Sequence, residues 1–134
     1  MKTICVVAGI VMYQGKILCV QRPRGKFDYI SFKWEFPGGK IEEHETKENA
    51  LKRELKEELG LEIHGVKEFI QVSHQYPDFK IIMDAFLCNV EMDRVIRMEH
   101  MDHQWLTPKE MIELNWADAD RPILKKILEV YNGI

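Results

Sequence analysis

GKIEEHETKENALKRELKEELGL, residues 39–61, places Gly39, Glu45, Arg53, Glu54, Leu55, Glu57, Glu58, Gly60 and Leu61 in the spacing Gly-x5-Glu-x7-Arg-Glu-Leu-x-Glu-Glu-x-Gly-Leu. The pattern predicts a helix over 46–59. Thr46 stands where it can cap the helix, with Asn49 where a capping box would prefer Glu or Gln. Leu51, Leu55 and Leu59 make an apolar stripe, and Gly60 ends the helix as a left-handed cap. Like charges three and four residues apart on a helix repel, yet Glu54, Glu57 and Glu58 are crowded together. A helix that needed only solubility would alternate signs, whereas a hard divalent cation wants clustered oxygen ligands. At 100° per residue the three carboxylates centre roughly 120° from the leucine stripe, at the edge of the buried face, where a cleft can lie. The plain alternative is a solvated acidic face.

The remaining sequence bounds the setting. A chain of 134 residues with 46% hydrophobic and 31% charged residues suits one globular domain over 1–134. A net charge of −3 argues against binding nucleic acid by phosphate neutralisation, but not against binding a nucleotide, because a metal can supply the positive charge. Cys5, Cys19 and Cys88 are odd in number and sit in apolar runs, so they are expected to be buried thiols in a reducing compartment. The apolar N-terminus is too short for a membrane span and lacks a signal-peptide pattern. A cytoplasmic protein is expected.

Along the chain, Thr3 to Met12 predicts a strand buried on both faces, and Ile17 to Gln21 its hairpin partner across Tyr13-Gln14-Gly15-Lys16. Residues 22–32 predict an exposed loop. Trp34 to Phe36 is a short extended piece that stops at a breaker cluster, Pro37-Gly38-Gly39. Further strands are expected over 62–74, 80–90 and 104–106. Thr107 and Pro108 open a small helix, and a last helix over 121–130 turns Ile123, Leu124, Ile127 and Leu128 inward. This order predicts an α/β (α+β) domain with a mixed sheet between helices.

The spacing over 39–61 resembles the box of the Nudix hydrolase family, and every fixed position of that box is met. The resemblance implies the family's α/β/α sandwich and hydrolysis of a nucleoside diphosphate linked to another group. It implies Mg2+, with Mn2+ as a substitute, held by Glu54, Glu57, Glu58 and the carbonyl of Gly38. Arg53 would orient these carboxylates through two hydrogen bonds. Glu45 either pairs with Arg53 and supports the loop or serves as a first-turn helix acid. The likeness extends to the MutT-like branch through Trp34-Glu35-Phe36-Pro37-Gly38-Gly39-Lys40 and through Glu99, six residues before Trp105. Glu99 there binds metal or acts as base, and Glu54 is the other candidate for the base. Phe36 and Lys40 fall among the residues that the resemblance assigns to substrate, with Arg22 on the phosphates.

Two places bear on the base. Tyr76 in Tyr76-Pro77-Asp78 either packs near the base or covers the sheet as a loop tyrosine. Asp120, before the last helix, replaces the Asn of MutT, and Gln21-Arg22-Pro23 lacks the second Arg that contacts guanine there. Both departures resemble CTP pyrophosphohydrolases. An ionised carboxylate accepts a hydrogen bond from the amine of cytosine, but serves guanine O6 only when protonated. Asp120 could equally be an N-cap. The expected substrate is (d)CTP or an oxidised cytidine nucleotide, with 8-oxo-dGTP as the alternative. ADP-ribose, or a non-catalytic binding module, is the more distant reading. His44, His64, His74, His100 and His103 share no metal-ligand spacing. A monomer and a homodimer are equally compatible.

Overall fold

The computed structural model describes residues 1–131. The hairpin β1 (Lys2–Tyr13) and β2 (Lys16–Gln21) turns at Gln14 and Gly15, both at positive φ, as a tight hairpin turn requires. The two strands pair only at Met12/Ile17 and Tyr13/Lys16. Beyond that point β1 takes β4 (Gly38–Lys40) and β2 takes β3 (Trp34–Glu35), while β7 (Asp102–Leu106) pairs β2 from Ile17 to Gln21 on its other edge. Along its whole length β1 also pairs in parallel with β6 (Phe79–Asn89), which is antiparallel to β5 (His64–Gln75). The sheet is therefore mixed.

Helices cover both faces, as an α/β/α sandwich requires. Helix α1 (Lys47–Leu59) buries Leu51, Leu55 and Leu59 against Val7, Val11, Leu18, Val20, Phe86 and Cys88. On the other face α2 (Pro108–Met111) and α3 (Arg121–Val130) pack Met111, Ile123 and Ile127 against Ala8, Ile10, Ile17, Cys19, Met83 and Ala85. The predicted caps are in place. Thr46 Oγ1 accepts from Asn49 N–H at 3.1 Å, and Gly60 is left-handed at φ 67°.

Three local expectations are corrected. Pro37-Gly38-Gly39 is not simply a breaker, since Gly38–Lys40 forms β4. Glycine makes that possible: a Cβ on Gly38 would lie 1.9 Å from the Val7 carbonyl oxygen. The start of β1 is not buried on both faces: Ile4 and Val6 line a cavity, and Thr3 and Cys5 on the other face are exposed, burial on that face beginning at Val7 under α1. Of the cysteines, Cys5 is thus exposed, whereas Cys19 and Cys88 are buried.

Candidate active site

The site starts from Arg53. Its Nε and Nη2 donate to both oxygens of Glu45 at 2.6 and 2.9 Å, Nη1 donates to Glu54 at 2.9 Å and Glu57 at 3.3 Å, and Nη2 reaches the Lys40 carbonyl at 3.1 Å. One planar guanidinium thus ties α1 to β4 and to the loop between them. Glu45 also accepts from the Glu42 N–H at 2.9 Å. The Arg53 hydrogen bonds, followed by that N–H, hold the Glu45 carboxyl below its ordinary range. Glu45 lies outside the helix, one residue before its Thr46 cap, so it is Arg53's partner and not a first-turn acid.

Glu99 reaches the same place from far along the chain. The last carbonyls of a helix have no partner within it. Here the Met98 N–H donates to the Glu58 carbonyl at 3.1 Å and the Ile96 N–H to the Leu59 carbonyl at 3.0 Å, while Ile96 packs over Gly60. These bonds dock segment 96–98 on the end of α1 and bring Glu99 beside Glu58. Burial first, then the charges of Glu99 and Glu54, push the Glu58 carboxyl up, with His100 opposing. Glu58 Oε2 is buried with no hydrogen-bond donor. A buried carboxylate oxygen without a donor, facing other carboxylates, fits a divalent cation. Among the described residues no three such side chains already stand in ligating geometry; Arg53 binds one oxygen each of Glu54 and Glu57.

The Gly38 carbonyl is free to join them. The Gly9 N–H donates to Pro37 O at 2.7 Å and the Ile41 N–H to Cys5 O, so the bonded pairs of this ladder alternate through Val7/Gly39. Gly38, opposite Ala8, is a non-bonded pair whose carbonyl points away from β1. Gly39 admits Glu54: a Cβ there would lie 2.3 Å from the Glu54 carboxyl carbon. We expect Gly39→Ala to displace that carboxylate and lower activity far more than stability, as kcat measured beside Tm would reveal. Equal losses in both would count against the assignment.

On the opposite face of the sheet lies a cavity of about 480 Å³, a ligand-sized volume. Its walls include Val6, Arg22, Lys40, Tyr76, Ala119 and Asp120. Asp120, 4% exposed, makes no capping bond; its Oδ2 accepts from the Phe36 N–H at 2.9 Å. Burial, then the charge of Glu35, push its carboxyl well up, with the Phe36 N–H and Arg22 opposing. Tyr76 is buried, its hydroxyl accepts from the Ala119 N–H at 3.0 Å, and its pKa is pushed up to about 12, mainly by burial. It therefore keeps its proton at neutral pH.

The NUDIX domain family matches residues 3–127. The chain is 37% identical, over 96% of its length and 93% of the relative's, to a CTP pyrophosphohydrolase of Escherichia coli. An 8-oxo-dGTP diphosphatase of Haemophilus influenzae is 31% identical over 99% of this chain and 98% of its own. The solution structure of the E. coli ORF135 protein superposes with a TM-score of 0.81 at 35% identity, covering 98% and 93% of the two chains. The structure of MutT from methicillin-resistant Staphylococcus aureus gives 0.75 at 36% identity over 97% and 99%. The chain belongs to the Nudix family. It is a hydrolase, and Nudix hydrolases use divalent metal ions.

The Nudix fold brings Arg53, Glu54, Glu57, Glu58 and Glu99 together along α1 from its middle to its C-terminal end, and Arg22, Lys40, Tyr76 and Asp120 around the cavity. Phe36 is placed differently from a base-facing ring. Its side chain is 3% exposed and stacks on Trp116 at 4.7 Å, so its backbone N–H, bound to Asp120, is its polar link to the cavity. Glu35 was not singled out from the sequence. It pairs with Arg22 at 3.3 Å, lies 3.8 Å from His100 Nε2 and lines the cavity. The available signal was alternation, a carboxylate between the buried Trp34 and Phe36. His100 therefore stands between Glu35 and Glu58, close to where the sequence set it beside Glu99.

Proposed function

We propose that the chain is a Mg2+-dependent nucleoside triphosphate pyrophosphohydrolase that converts NTP and water to NMP and diphosphate, with (d)CTP or an oxidised cytidine nucleotide as substrate. The observation that carries the base assignment is Asp120, a carboxylate buried in the cavity wall and tethered by the Phe36 N–H. The likeness to a CTP pyrophosphohydrolase supports it.

In this proposal Glu54, Glu57, Glu58, Glu99 and the Gly38 carbonyl hold the metal, with Mn2+ as a substitute. When bound, the cation supplies charge neutralisation of the polyphosphate and orientation for in-line attack by water. Arg53 anchors one oxygen each of Glu54 and Glu57, which limits the positions these carboxylates take when a cation binds. Glu54 or Glu99 takes the proton of the attacking water as its oxygen bonds to phosphorus and the α–β bridge breaks. Arg22 and Lys40 meet the phosphates. The domain works in the cytoplasm, monomeric or dimeric, on a free nucleotide.

One observation favours a second reading. Burial and Glu35 push the Asp120 carboxyl up, and a protonated acid donates to a carbonyl such as that of an 8-oxo-dGTP base. The likeness to 8-oxo-dGTP diphosphatases supports this reading. Raising the pH ionises Asp120 and favours cytidine nucleotides, and lowering it favours guanine nucleotides. Pyrophosphate release from normal and oxidised triphosphates across pH, with ADP-ribose as control and Asp120→Asn alongside, separates the readings. Asp120→Asn is expected to shift the CTP to dGTP ratio of kcat/KM about tenfold or more; an unchanged ratio would remove Asp120 from base selection.

A further inference from the structure

The turn that carries Asp120 has no cap of its own. Asp118–Asp120 is a single 3-10 turn, and its N-cap residue Ala117 makes no side-chain capping bond. The N–H groups at the start of such a turn have no acceptor within it, and Ala119 is buried. The acceptor comes from 43 residues away: the Tyr76 hydroxyl takes the Ala119 N–H at 3.0 Å. A second tie, from the Phe36 N–H to Oδ2, acts on the Asp120 carboxylate itself.

The ring of Tyr76 is held separately from its hydroxyl. Tyr29 stacks on it at 5.3 Å, Phe79 packs at 5.1 Å and His74 meets it edge-on at 4.5 Å. Tyr29 itself donates from its hydroxyl to Asp78, a residue of the cavity wall, at 2.8 Å. Removing the hydroxyl of Tyr76 therefore leaves the ring in place and deletes one bond. That bond is one of three ties on the 118–120 turn, beside the Ala117 N–H on the Trp34 carbonyl at 2.9 Å and the Phe36 N–H on Asp120.

We infer that Tyr76 is a positioning residue for base selection, its hydroxyl holding the turn so that the Asp120 carboxylate stands at the depth where the base arrives. This deepens the proposed function and rests on its assignment of Asp120 to the base. With the hydroxyl gone, the Ala119 N–H is either left buried without an acceptor or moves to find one, and a moved turn carries Asp120 with it. Hydrogen bonding weakens steeply with misalignment, so discrimination between bases falls before hydrolysis does. A tyrosine that served only as a stacking surface or a cover for the sheet would be replaced by phenylalanine without consequence for selectivity.

The test is Tyr76→Phe, Asp120→Asn and the double variant, each assayed with Mg2+ on CTP, dCTP, dGTP and 8-oxo-dGTP. Tyr76→Phe is expected to compress the ratio of kcat/KM between the preferred nucleotide and the others by about tenfold, the equivalent of one hydrogen bond. The change should fall mostly on KM, and the double variant should show no further change beyond Asp120→Asn. A wild-type ratio in Tyr76→Phe, whatever its Tm, overturns the inference. So does an equal compression in both backgrounds, which would mean that the hydroxyl touches the base directly. If Asp120→Asn alone leaves the ratio unchanged, the assignment of Asp120 fails instead. A wild-type protein inactive on every triphosphate would sink the proposed function itself.

Discussion

Glu58→Gln is expected to lower Mg2+-dependent hydrolysis on the order of 10³-fold while raising the melting temperature of the metal-free protein. Both effects come from one geometry. Glu58 is pressed by burial and by the charges of Glu99 and Glu54, and its Oε2 has no donor. Its folded pKa is therefore raised above the unfolded value. Such a group contributes stability that is fully present below the unfolded carboxylate range and lost as pH rises through the raised value. Wherever Glu58 is ionised it works against the metal-free fold, and an uncharged Gln relieves the repulsion. In the proposed metal site this charge holds the cation, so the same substitution removes an electrostatic contribution to phosphoryl transfer. Thermal melts with and without Mg2+ check both signs. Wild type should gain stability from the ion by mass action and the variant markedly less. A variant that is as active and as strongly stabilised by Mg2+ as wild type would remove Glu58 from the metal site.

Arg53→Lys should cost roughly 10–100-fold in activity, the range for residues that orient metal ligands from behind. Lysine keeps the charge but cannot span both oxygens of Glu45 while also reaching Glu54, Glu57 and the Lys40 carbonyl. Glu54 and Glu57 lose their common anchor, and β4 loses its tie to α1. The side chain is 21% exposed, so solvent softens the loss, and about 1–2 kcal/mol of stability is expected to go, below the range for a fully buried pair. The variant should thus remain folded at 25 °C with a depressed kcat, measured beside a denaturant melt. Full activity with reduced stability would make Arg53 a structural strut only.

Much of the local architecture was legible in the chain. The leucine stripe at 51, 55 and 59, the Thr46 cap and the Gly60 cap define α1, because helical period and cap chemistry are properties of neighbouring residues. The same spacing put Glu54, Glu57 and Glu58 on one surface. Near neighbours also predicted the β1–β2 hairpin through its two-residue turn.

What depended on contacts between distant segments was decided only by the tertiary structure. The exposure of Cys5 and of the first half of β1 follows from where α1 stops and the cavity begins, and no stretch of β1 records either. The Asp120 carboxylate engages the Phe36 N–H, 84 residues away, in place of capping its own helix. Glu99 faces Glu58 because the backbone N–H groups of Met98 and Ile96 satisfy the Glu58 and Leu59 carbonyls of α1. Local sequence sets which groups share a helix face or a turn. Which buried donor meets which acceptor across the fold is set by packing, since the requirement that each find a partner is met in three dimensions.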